Sequence, residues 1–160
     1  MSETVGAKKE RFKLIPAVYL LLRRDEEVLL LRRANTGYQD GKYGLIAGHL
    51  DGDELGTVAM SREAEEEAGI KVKPEDMRFV HVAHRLGRND GQERVDFFYE
   101  ATEWTGEVTN AEPEKCDDLS WYPLNQLPDN MLPLVKLVLT DVLNGIHSIR
   151  NIPKSQYSKR

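Results

Sequence analysis

Residues 48–70 read GHLDGDELGTVAMSREAEEEAGI, and the reading of the whole chain turns on them. The stretch suits a helix from about Glu54 to Ala68, with Asp53 as its N-cap and Gly69 just past its last turn. Leu55, Val58, Ala59 and Ala64 supply a modest apolar face. On such a helix Glu63, Glu66 and Glu67 stand at i, i+3 and i+4, so their carboxylates gather on one side. Carboxylates that close raise one another's proton affinity unless a cation is present. Mg²⁺ takes oxygen ligands, keeps several waters, and completes its shell from substrate phosphates. The spacing therefore points to Mg²⁺-assisted chemistry on a phosphate compound, against the alternative of a solvated, Glu-rich helix face.

Composition bounds the rest. At 160 residues the chain fits one domain, large enough to bury on the order of 70% of its unfolded surface. Hydrophobic content of 40% and charged content of 31% describe an ordinary globule. A net charge of -5 speaks against broad binding to long nucleic acid or an anionic membrane. An anionic substrate must then be drawn in by local cations and metal. Cys116 is the sole cysteine, so no internal disulfide can form. No run is long and apolar enough to span a membrane, and the N-terminus lacks an apolar signal core; a cytoplasmic location is the expectation.

Along the chain, residues 1–12 are polar and expected to be loosely held, 13–146 form the domain, and 147–160 form a basic tail. Leu14 to Leu22 and Val28 to Leu31 read as buried strands, with Asp25-Glu26-Glu27 as the hairpin turn between them. Ala34 to Lys42 reads as a loop, and Tyr43 to Ala47 as a short strand leading into the quoted stretch. Phe79 to Arg85 and Arg94 to Ala101 read as strands around a turn at Asn89-Asp90-Gly91. Residues 105–118 read as a loop, and Leu119 to Tyr122 as a returning strand. Pro133 to Asn144 has the spacing of a core-facing helix that ends near Gly145. The pattern predicts an α+β or three-layer α/β arrangement.

Gly48, Glu54, Arg62, Glu63, Glu66, Glu67, Gly69 and Ile70 fall at the fixed positions of the Nudix box, with Ala64 at its small apolar position. The chain resembles the Nudix hydrolases, and within them the MutT-like branch. Two segments outside the box extend the likeness. Arg33 stands where MutT-like members carry a substrate-facing Arg, and Trp104-Thr105-Gly106-Glu107 resembles their W-x-G-E segment. Ala47 and Ile46 depart from the family's common Gly and frequent Pro. The resemblance implies the Nudix fold, a mixed sheet sandwiched between helices (α/β/α). It also implies attack of a metal-activated water on one phosphorus of a diphosphate linkage.

The roles it implies are specific. Glu63, Glu66 and Glu67 are the catalytic carboxylates and metal ligands, with Glu63 either a ligand or the general base. The backbone carbonyl at Gly48 and the loop residue Glu112 are further ligands, and the ion is Mg²⁺ or Mn²⁺. Arg33 meets the nucleotide; Arg62 and Glu54 support the site. His81 and His84 read as structural, His49 as exposed or hydrogen-bonded, and Cys116 as a bystander. Arg32, Arg85 and Arg88 are further candidates for phosphate contact; Tyr38, Tyr43, Phe97 and Tyr99 are candidates to stack a base, with core packing the expectation for each. Where ADP-ribose members often carry a Pro, this chain has Arg85, Leu86 and Gly87, and Gly87 to Asn89 lacks the Tyr of dinucleoside-polyphosphate members. A (deoxy)nucleoside triphosphate is thus the leading substrate, with ADP-ribose-like compounds second. Ungapped register from Pro133 puts Met131 where MutT-like members read the base with an Asn, and Asn130 is one residue away. A noncatalytic nucleotide-binding module, the reading from a different class, would have lost box glutamates that this chain keeps.

Overall fold

The computed structural model describes residues 9–87 and 91–153. Leu20, Leu21 and Leu22 are all fully buried, which a strand allows only when both of its faces are covered. That strand, β1 (Ile15–Arg24), feeds two cores. Leu20 and Leu22 join Leu29 and Leu31 of β2 (Glu27–Arg33) on one face. Leu21 joins Val28 and Leu30 on the other. The remaining strands are β3 (Tyr43–Gly44), β4 (Ile46–His49), β5 (Arg78–Arg85), β6 (Arg94–Ala101), β7 (Cys116–Pro123) and β8 (Ile149–Ile152).

All eight belong to one mixed sheet ordered β3-β2-β1-β6-β5-β8, with β4 added to β1 and β7 to β2. β1 with β6 and β5 with β8 are parallel. β1 changes partner along its length: Ala17 to Leu20 pair with β4, whereas Arg23 and Arg24 pair with β2. A cleft lies between the end of β2 and the face of β4. Helix α1 (Gly56–Ala68) covers one face of the sheet through Ala59, Met60, Ala64 and Ala68. Helix α2 (Pro133–Leu143) covers the other through Val135, Val138, Leu139 and Val142. This is the α+β, helix–sheet–helix layering expected of the sequence.

Several boundaries differ from the sequence reading. α1 begins at Gly56 with Leu55 as N-cap, and Asp53 instead takes a left-handed conformation at φ 53° in the preceding turn. The cause is Glu54, whose carboxylate accepts the Asp51 N–H at 2.8 Å and a bond from Arg62 at 2.9 Å, holding residues 51–54 outside the helix. The apolar stripe is correspondingly rotated, leaving Leu55 73% and Val58 43% exposed. Gly69 caps the helix at φ 67°, as expected. The expected strand at 43–47 is two strands, β3 on β2 and β4 on β1. Residues 149–152, expected in the tail, form β8 and extend the sheet beside β5. Arg150 makes two 2.6 Å bonds to Asp141 of α2, and that interaction anchors the strand. Residues 1–8 of the expected loose segment, Arg88, Asn89 and Asp90, and the end of the tail lie outside the described residues. Among the described residues no helix is long and apolar enough to cross a membrane.

Candidate active site

α1 and β4 meet with two of the three glutamates between them. A Cβ at Gly48 would overlap the Glu63 carboxylate, so only a glycine leaves room for that side chain against the strand. One residue earlier, the Ala47 N–H donates to Glu67 Oε2 at 3.0 Å. Ala in place of the common Gly therefore leaves the strand's path intact, with Val18 opposite Gly48 and Tyr19 opposite Ala47. Glu66 is the outermost of the three, its side chain 52% exposed.

Glu112 comes from the loop between β6 and β7. That loop is sewn to the C-terminal end of α1, where helix carbonyls lack partners within the helix. Thr109 N–H donates to Ala68 O at 3.0 Å and Ala111 N–H to Glu67 O at 3.2 Å. Gly69 admits this contact, since a Cβ there would meet Thr109 Oγ1 at 2.7 Å. Glu63, Glu66, Glu67 and Glu112 thereby line one cavity of about 430 Å³, together with Arg33 and Lys115.

The charges are arranged unevenly. Arg62 bonds Glu63 through Nη1 at 2.7 Å, and through Nη2 both Glu54 at 2.9 Å and the His49 carbonyl at 3.1 Å. Its guanidinium holds Glu54 below the usual carboxylate range. Burial pushes Glu63 up, against the pull of Arg62. Burial also pushes Glu67 up to about 8, and the charges of Glu63 and Glu112 add to it. A surplus of partly desolvated carboxylate is what a hard cation relieves. Together with the glycine-only contact under Glu63, the donor set fits such an ion. Among the described residues no three His, Cys, Asp or Glu side chains close around a common point. Each carboxylate is turned to a nearer partner: Glu63 to Arg62, Glu67 to the Ala47 N–H, and Glu112 to Lys115 at 2.8 Å.

Arg33 stands at the end of β2, where its guanidinium donates to the Tyr38 carbonyl at 2.8 Å and to Thr36 Oγ1 at 3.1 Å. The loop that receives it is built around Asp40, whose carboxylate takes the N–H groups of Thr36 and Gly37 and the Thr36 hydroxyl. Arg33 and Ala47 are common to three lobes of the cleft. The first is the acidic cavity. The second, about 330 Å³, carries Arg85 and Arg94. The third is a smaller slot of about 120 Å³ between Tyr38 and the start of α2, with Leu132 and Leu134 on its far wall.

Other sequence candidates scatter. His81 is buried against Asp141, and His84 pairs with Glu93, so the two do not act together. Tyr43 is buried and bonds Asp118 at 2.6 Å. Tyr38, expected in the core, is instead 45% exposed and lines the second and third lobes. It sits at the tip of a loop, where no hydrophobic periodicity could have placed it. Lys115 drew no attention in the sequence; only the fold brings it to the acidic cavity. Cys116 borders the acidic cavity, but it is buried, its Sγ is directed to the Asp118 carbonyl, and burial pushes its thiol up. Asn130 donates to the Gly41 carbonyl at 2.7 Å and Met131 is buried, so neither lines the slot beside them.

A family model described as the NUDIX domain matches residues 13–141. The NAD-capped RNA hydrolase NudC of Stutzerimonas stutzeri is 25% identical over 116 residues, which is 72% of this chain and 39% of that protein. Its Escherichia coli O1:K1 / APEC counterpart is 34% identical over 74 residues, 45% of this chain and 27% of that protein. The chain spans less than half the length of these curated relatives. A solved MutT NUDIX hydrolase from Burkholderia pseudomallei superposes with a TM-score of 0.75 at 27% identity, covering 82% of this chain and 99% of that one.

Proposed function

The chain belongs to the NUDIX family, and on that premise we propose that it is a divalent-metal-dependent pyrophosphohydrolase acting on a nucleoside diphosphate linked to a further group. The leading substrate is a (deoxy)nucleoside triphosphate, an oxidised one included, cleaved to monophosphate plus pyrophosphate. One observation carries the reading: Glu63, Glu66, Glu67 and Glu112 line a single cavity that also holds Arg33. Glu63, Glu66 and Glu67 would hold Mg²⁺ or Mn²⁺, with Glu112 and the Gly48 carbonyl as further oxygen donors. A bound ion of this kind supplies charge neutralisation at the phosphates and lowers the pKa of a water nucleophile.

The chain's own groups do the rest. Arg62 fixes one oxygen of Glu63 at 2.7 Å, and Glu63 lines the cavity. In this reading Glu63 takes the proton of the water that attacks phosphorus, while the P–O bond to the leaving phosphate breaks. Arg33, locked by Tyr38 and Thr36, orients the phosphates from the opposite side. The slot beside Tyr38 and Leu132 has the size and apolar walls to receive a base.

ADP-ribose or another nucleoside-diphosphate-linked compound is the second reading, and the size of the second lobe favours it. The test is a product assay in Mg²⁺ on nucleoside triphosphates, oxidised ones included, with ADP-ribose and a dinucleoside polyphosphate, and Glu67→Gln as control. Monophosphate plus pyrophosphate that vanishes in the variant is the expected result. Turnover of ADP-ribose alone would keep the chemistry and change the substrate. Binding without turnover of any compound would overturn the enzymatic reading in favour of a nucleotide-binding module.

A further inference from the structure

Lys115 lines the acidic cavity, and the proposed hydrolysis leaves it without a task. Among the described residues, the Arg and Lys side chains on that cavity are Arg33 and Lys115. Arg33 is locked by its bonds to Tyr38 and Thr36. Lys115 is built differently. Its backbone is tied down on two sides: its N–H donates to the Glu112 carbonyl at 2.9 Å, and its carbonyl accepts the Ala34 N–H at 2.8 Å. Ala34 follows Arg33 at the end of β2, where Arg33 pairs with Cys116, and Asn35 donates to the Glu114 carbonyl at 3.2 Å. The Lys115 side chain, by contrast, is 58% exposed and carries its ammonium on a flexible four-carbon stem. A fixed root and a movable head let one cation reach more than one partner.

The partner it holds is one of the carboxylates assigned to the metal. Lys115 Nζ donates to Glu112 Oε1 at 2.8 Å. An ion pair this exposed contributes little to stability and is easily broken. It also sets two demands against each other, because an ammonium on Glu112 repels a divalent cation approaching the same carboxylate. Glu112 cannot serve the ion at full strength while Lys115 stays beside it. Glu63 is bonded to Arg62 and Glu67 to the Ala47 N–H, so neither offers Lys115 an unclaimed carboxylate. Substrate phosphates bring a new row of anionic oxygens into the cavity, and a lysine ammonium suits them.

Resting on the pyrophosphohydrolase reading, we propose that Lys115 is a substrate-binding residue that exchanges partners. In the protein alone it pairs with Glu112. When Glu112 takes a metal ion, Lys115 turns to the phosphate chain. Lys115 thus opposes metal binding to the bare protein and favours phosphate binding to the metal-loaded one, which links the two events.

The test titrates Mn²⁺ into the full chain without nucleotide, read by the electron paramagnetic resonance of free Mn²⁺. Pyrophosphate is then titrated in saturating Mg²⁺ by calorimetry, since it carries the diphosphate and no base. Lys115→Met keeps the stem and removes the charge. It should bind Mn²⁺ about three-fold tighter and pyrophosphate about ten-fold weaker, the latter the low end of what one charge-assisted hydrogen bond contributes. Lys115→Arg should return both affinities toward the wild type. A purely structural role would weaken both or neither, so the opposite signs are the signature. Unchanged or weaker Mn²⁺ binding in Lys115→Met, or an unchanged pyrophosphate affinity, would overturn the assignment. A wild type that binds no Mn²⁺ would overturn it together with the metal site. Opposite shifts without turnover of any nucleotide would keep Lys115 assigned and remove the activity; turnover with unmoved affinities would do the reverse.

Discussion

Glu67 combines a place in the acidic cavity with a stability cost. Its folded-state pKa of about 8 stands above the ordinary 4.5, so the folded protein holds that proton more tightly than the unfolded chain. The resulting stability is present below about pH 4.5 and is lost as pH rises towards 8. In chelator, thermal unfolding of the wild type should move to lower temperature across that window, and added Mg²⁺ should restore it at the alkaline end. Glu67→Gln should flatten the alkaline loss and abolish turnover without lowering the transition temperature. An unfolded variant, or a wild type indifferent to Mg²⁺, would refute the metal assignment. Gly48→Ala is the complementary test, because a methyl there collides with the Glu63 carboxylate. The expected result is at least a ten-fold loss of kcat/KM, about 1.4 kcal/mol in the transition state, with a native-like circular dichroism spectrum.

Two elements decide whether those residues stay in place. The loop between β6 and β7 delivers Glu112 only because its amides cap α1, and Gly69 is where the two touch. Gly69→Ala combines strain at φ 67° with a clash against Thr109, and should cost about 1–2 kcal/mol in denaturant unfolding. A larger fall in Mg²⁺ affinity than in stability would show that the loop, and Glu112 with it, had shifted. β8 is the second element. Its anchor is Asp141, held below the usual carboxylate range by the Arg150 guanidinium and then by His81. A depressed carboxylate stabilises the fold above its ordinary pKa of 3.8, and that contribution disappears as pH falls through the depressed value. Arg150→Ala should remove much of this acid dependence and cost about 1 kcal/mol, since Arg150 is itself 41% exposed. Hydrogen exchange should quicken in β8 and along the β5 edge, and remain slow in β1.

At the scale of the molecule, the two helices are coupled through the strands between them. β1 and β2 contribute alternate residues to both cores, so neither core can be lost alone. Met60→Ala on α1 and Leu139→Ala on α2 should each cost about 2–5 kcal/mol and shift one shared transition. Separate transitions by fluorescence and circular dichroism would show two independent units. The same architecture places the cleft between the end of β2 and β4, with its acidic side on α1 and its apolar side at the start of α2.

The sequence by itself determined the carboxylate cluster, the layered α+β fold and most strand positions. Each rests on local periodicity: i, i+3 and i+4 on a helix, and buried runs in strands covered on both faces. The position of Gly69 was legible for the same reason, because a left-handed helix cap is a local demand. The start of α1 was not. Asp53 has the chemistry of an N-cap, yet Arg62, eight residues further on, drew Glu54 out of the helix. β8 was read as tail because the residues that follow it are basic and polar; it is a strand through its pairing with β5, with Arg150 bonded to Asp141 of α2. Lys115 was invisible as a site residue, and nothing in the spacing set Tyr38 and Arg85 apart from the other aromatic and Arg candidates, since the cleft gathers segments far apart in the chain. Residue type and spacing report what a segment can do alone; which segments face one cleft is settled by long-range packing, and only the tertiary structure decided that.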